Sequence, residues 1–215
     1  MMLLLEEIYK SYKAQNSAHF NLRIHRGVGW FKKSLELDRD LDFKFISLWI
    51  SFQSIYAEEG DLIQEQDKLH QFLEILCQND TEQKIGHIVW EKYSQPIHSL
   101  LDSSYLNQSF WDYRNQKISL ENCQAVLENQ KQQIQNALQE KNSVEVLKLL
   151  FHRLYTLHHQ LTHGGMTYQS SLNHKSFEKS CRILAALLPV FIFILLENSK
   201  ILDLNKPYYP AAQVS

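Results

Sequence analysis

The sequence predicts an all-α protein, a single bundle of about seven or eight helices. Three observations predict it. Apolar residues recur every three to four positions in each long segment, the period of a half-buried helix. Six glycines and four prolines in 215 residues are too few for a turn-rich β protein. No segment alternates convincingly as a strand. The length suits one domain, expected to span 1–215 with an irregular tail over 200–215.

Taken in order, residues 3–14 read as a short N-terminal helix. A second helix runs from Ala18 to Leu37, with Phe20, Ile24, Val28, Phe31 and Leu35 on one side. Arg23, Arg26, Lys32 and Lys33 add positive charge to it. Asp38 and Asp40 offer turn or N-cap chemistry. Phe43 to Phe45 resembles a strand, but the longer period of Leu41, Phe45, Leu48, Trp49, Phe52, Ile55 and Tyr56 makes Leu41 to Ala57 a largely buried helix ending at Gly60. Asp61 to Gln78 is amphipathic through Leu62, Leu69, Phe72, Leu73 and Leu76.

Asn79-Asp80-Thr81 is a cap or turn ahead of a helix from Glu82 towards Ser94, and Pro96 starts or kinks the next piece. Phe110-Trp111 is expected to pack a loop onto the bundle. Ser119, with Glu121 behind it, opens a helix to about Lys141 whose apolar stripe is thin, so it should be the most exposed and mobile. Asn173 caps the last helix, with Leu172 and Phe177 spaced as a hydrophobic staple. The apolar run Ile183 to Leu196 contains Pro189 and falls short of the ~20 residues that cross a bilayer, so it reads as a core helix.

The chain as a whole is that of an ordinary globular protein: 44% hydrophobic, 21% charged and a formal net charge of −2. That balance supplies no global attraction to nucleic acid, so RNA binding would rest on a local patch. Cys77, Cys123 and Cys181 are odd in number and lack CxxC spacing, which suits reduced thiols in a cytoplasmic protein. The leucines of MMLLLEEIYK are followed at once by acids, unlike a signal peptide or membrane anchor. No internal repeat, Gly-rich phosphate loop or dinucleotide fingerprint is present.

Ser143 to Gly165 is the segment that carries chemistry. Leu147, Leu150, Phe151, Leu154, Leu157 and Leu161 mark one buried stripe. Asn142 and Glu145 have capping-box spacing, and Gly164 is the stop signal. At about 100° per residue, His158 falls within the stripe, while His152, His159 and His163 share a second side flanked by Tyr155 and Thr156. A lone helical histidine is usually a surface or structural residue. Three on one side form a cluster of groups that titrate near neutral pH.

Three passages resemble the HEPN superfamily (higher eukaryotes and prokaryotes nucleotide-binding), closest to its bacterial Apea-like branch. These are RIHRGVGWFKKSLELDRDLDFKFISLWISFQSIYA (Arg23 to Ala57), RLYTLHHQLTHGGMT (Arg153 to Thr167), and RILAALLPVFIFILLEN with the closing PYYP. They cover roughly 80 residues towards the two ends of the chain. The resemblance implies a helical bundle, frequent homodimers and, in many members, metal-independent RNA cleavage. It also implies a partner such as an antitoxin or regulator.

The family's motif is an arginine, a polar residue and then a histidine. Carried over, His163 is the histidine, His159 the polar residue and His158 stands at the arginine position. Arg153 also satisfies a loose arginine-to-histidine spacing, but it precedes LYTL rather than following it. The expected catalytic residues are therefore His163, His159 and His158, with Arg153, Tyr155 and Gly164 towards the substrate. Tyr155 and Tyr168 are candidates for base stacking, although packing is the commoner use of tyrosine.

Cleavage by internal transesterification needs a base, an acid and positive charge on the phosphorane. His158 supplies charge only while protonated, which burial opposes. His159 and His163, one turn apart, are the alternative acid/base pair. The same spacing suits a shared divalent ion with His152, but no HExxH acid, cysteine ligand or nearby carboxylate completes such a set. No metal or cofactor is expected. Two readings stay open: an RNA-cutting enzyme, and a binding module that has lost catalysis.

Overall fold

In a computed structural model, the described residues (2–57, 65–171, 173–200, 202, 206, 207 and 209) form ten α-helices and no strand. The all-α prediction therefore holds, and the higher count has identifiable causes. Phe110-Trp111 lies in a short helix, not a loop, and the helix expected over 82–94 is a short α-helix that passes into a π-helical stretch. The described chain falls into two compact units, 1–85 with 184–215, and 86–183.

The first unit is built on α1 (Met2–Tyr12), α2 (Ala18–Leu35), α3 (Leu41–Tyr56) and α4 (Glu65–Gln78). Its core is the aromatic column read from the sequence: Phe45, Trp49, Phe52 and Tyr56 on α3 are buried, and Phe52 reaches Tyr56 at 4.7 Å between ring centroids. Fully burying each such ring contributes roughly 1.5–3 kcal/mol.

Small residues let α2 approach α3 closely. A Cβ on Gly27 would meet Ile55 Cγ2 at 2.7 Å, and Ser51 Oγ donates to Gly27 O at 2.7 Å. Of the expected turn or cap residues, Asp40 accepts from Phe43 N, while Asp38 pairs with Lys44; Ser17 also caps its helix, accepting from Phe20 N.

Arg23, one of the four residues that add positive charge to α2, is buried. It is 0% exposed and donates to Ala57 O at 2.7 Å and Lys206 O at 3.1 Å. Arg26 donates to Tyr209 O at 2.6 Å. Both guanidinium groups thus satisfy backbone carbonyls, two of them in the tail. Gly60 and the start of the helix expected from Asp61 lie outside the described residues, as does Leu172 of the expected staple.

The second unit contains α6 (Ser94–Leu101), α7 (Gln108–Arg114), α8 (Leu120–Gln139) and α9 (Ser143–Thr162). Before them, α5 (Lys84–Gly86) continues into a π-helical stretch, His87–Lys92. The Asp80 carboxylate starts this region by accepting from Lys84 N at 2.9 Å and Ile85 N at 2.7 Å. Pro96 sits in the first turn of α6, where its missing N–H costs no helical bond.

On α8 only Cys123, Ile134 and Ala137 are buried, so the thin stripe leaves most of that helix exposed, as expected. Cys181 is buried as well, and Cys77 is half-buried. The 24-residue α10 (His174–Glu197) belongs to both units, dividing after Ile183. It is longer than the apolar run because it takes in polar turns ahead of Ile183. Length and composition alone would let it cross a membrane, yet 67% of its most apolar window is buried within the protein.

Candidate functional site

The histidine segment folds as α9, and its two ends show why it stops and starts where it does. Asn142 accepts from Glu145 N at 3.2 Å. The reciprocal half of a capping box does not form: Asn142 N donates to Ala137 O at 2.9 Å, and the Glu145 carboxylate accepts from Lys148 Nζ at 2.8 Å. At the other end, Gly165 N donates to Gln160 O at 2.8 Å and Gly164 N to Leu161 O at 3.4 Å. With Gly164 at φ +72°, this is a Schellman closure. The glycine is required there because a Cβ opposes the left-handed conformation.

This closure leaves His163 exposed as the C-cap residue. His159 lies one turn earlier and half-buried, with its ring centroid 5.0 Å from that of His163. Tyr155 lies 4.2 Å from His159 and forms one wall of the group. The imidazoles are therefore gathered at the surface, where water and a large substrate can reach them. Tyr168 is also exposed, and its hydroxyl accepts from Gln169 Nε2 at 3.1 Å.

His158 behaves differently. Its ring is 5.8 Å from that of His159, but its Nδ1 is buried. Burial, reinforced by repulsion from His159 and His163, pushes its pKa down from 6.5 to about 4. At neutral pH it is uncharged, so it cannot supply the fixed charge that an arginine would bring to that position.

Arg153 is not part of the histidine group. It is buried, and its Nε donates to Leu101 O at 3.3 Å. It lines a cavity with residues from α6 and α8, and none of His158, His159 or His163 lines it. Burial lowers its pKa to about 10, partly opposed by the charge of Asp102. Among the expected substrate residues, the structure thus places Tyr155 and Gly164 near the histidines and sets Arg153 apart.

The sequence reading missed Asp102, Asn107 and Lys131, which line the Arg153 cavity. Their one signal was indirect. Arg153 sits inside the arc of Leu150, Leu154 and Leu157, and a charge in a buried arc needs a partner from elsewhere.

Among the described residues, no group of three or more His, Cys, Asp or Glu side chains is placed to hold a metal ion. The chain matches no protein-family model, no curated protein and no solved structure.

Proposed function

We propose that this chain is a HEPN-like RNA-handling protein whose imidazole pair, the half-buried His159 and the exposed His163, carries out slow metal-independent RNA cleavage. One observation carries the reading: the two rings lie 5.0 Å apart at an accessible helix end. In this role one neutral imidazole takes the proton of a ribose 2′-OH, and the 2′-oxygen bonds to phosphorus. The P–O5′ bond breaks as the other imidazolium gives its proton to the departing 5′-oxygen. The products are a 2′,3′-cyclic phosphate and a 5′-hydroxyl. Imidazole suits both transfers because it exchanges protons near neutral pH.

The positive charge for the phosphorane is the weak part of this site. His158 stays neutral, and a helix C-terminus carries partial negative charge. That observation favours a second reading, in which the same surface binds RNA or a protein partner without cutting. A two-fold homodimer would let a second copy bring its own α9 end to the site. An antitoxin-type or regulatory partner would use the same exposed turn.

A cleavage assay on total RNA in EDTA, between pH 5 and 8, separates these readings. Cleavage that leaves cyclic phosphate ends and is lost in His163→Ala supports the enzyme. RNA retention without cleavage at any pH supports the binding module. Size-exclusion with light scattering tests the dimer.

A further inference from the structure

We propose that the Arg153 cavity is a binding site for a small organic carboxylate, separate from the histidine group. Arg153 is only 5% exposed, and its Nη1 is buried with no hydrogen-bond partner among the described residues. A buried guanidinium donor left without an acceptor is costly, and the cost is recovered when an anion supplies the acceptor. Among the described residues no side chain meets that need. Asp102 lines the same cavity, and its charge favours the guanidinium, yet no ion pair joins them. Asn107 is already committed: it donates to Gln130 Oε1 at 2.6 Å and accepts from Ser109 N at 2.9 Å. It therefore acts as framework.

The class of ligand follows from charge, shape and size. One arginine and one lysine (Lys131) face one aspartate, a net of +1, which matches a monoanion and disfavours a doubly charged phosphate. Leu101, Leu127 and Ile134 give the same cavity apolar walls, so the anion should carry an apolar portion. A guanidinium fork receives a carboxylate through two parallel hydrogen bonds. The volume of about 310 Å³ admits a compact molecule only.

The test uses the full chain with 4-fluorobenzoate as probe, followed by fluorine NMR, with neutral 4-fluorobenzamide and inorganic phosphate as comparisons. Saturable binding of the benzoate but not the amide is expected. Lys131→Ala, at an exposed position, should weaken it about threefold. Arg153→Lys keeps the charge but loses the fork and should weaken it about tenfold. Leu127→Trp should fill the cavity and abolish binding. The proposal is overturned if 4-fluorobenzoate does not saturate, if the amide binds equally, if phosphate binds better, or if the folded Leu127→Trp variant binds unchanged. Should Arg153→Lys or Leu127→Trp not fold, the benzoate and amide on the native chain, with Lys131→Ala, decide the matter.

Discussion

Two parts of α9 treat positive charge in opposite ways. Around Arg153 the helix takes a permanent cation out of water and sets it against a small cavity with apolar walls. At its C-terminal turn it sets the rings of His159 and His163 5.0 Å apart, where solvent reaches them. His158 marks the boundary: desolvated like Arg153, it gives up its charge instead of keeping it. Electrostatic attraction to an anion is strongest where water is excluded, whereas proton exchange needs access. An arginine-to-histidine motif would unite the two properties in one site. Here they are separated along one helix, which is why the histidine end should be a slow catalyst and the cavity a binder.

The separation can be broken by substitution. The largest effect is expected from Leu157→Ala, which empties a fully buried position beside His158 and should cost about 2–5 kcal/mol in urea unfolding. A pH series comes next. His158 takes its proton at about 4 when folded and near 6.5 when unfolded. Between those values the unfolded chain binds more protons, so stability falls as pH drops from 6.5 towards 4. In His158→Leu this part of the fall should vanish, seen as a flatter melting temperature against pH; an unchanged slope would place His158 in water.

Gly164→Ala should cost about 1 kcal/mol by forcing a Cβ into the left-handed conformation, since no neighbouring atom within 4 Å obstructs it. The smallest stability effect belongs to His163→Ala, within about 0.5 kcal/mol by the same unfolding measurement. A larger loss would mean that His163 holds the fold and is not displayed for chemistry.

Much of this architecture was legible in the sequence, because helix period and caps are local. Asn142, Ser119 and Asp40 each cap where their side chains announce a start. Some turns were hidden because they do not use glycine: Gln83, Gln116 and Lys141 adopt positive φ themselves. The π-helical stretch at His87–Lys92 leaves no mark in a 3.6-residue pattern.

The histidine group was readable from one helix, since Tyr155, His159 and His163 are spaced four apart. The Arg153 cavity was not, because Leu101, Leu127 and Lys131 reach it from other helices. Arg23 shows the same limit. Helix periodicity shows only that it adds charge to its helix; that it is buried follows from tertiary contacts with Ala57 and Lys206.

The central claim, that His159 and His163 exchange protons with RNA, is tested most directly by the pH dependence of kcat/KM for a short single-stranded RNA in EDTA. An acid/base pair predicts a bell-shaped profile that loses one limb in His159→Ala and the other in His163→Ala. A profile that keeps both limbs in either variant, or no cleavage across the range, would contradict it.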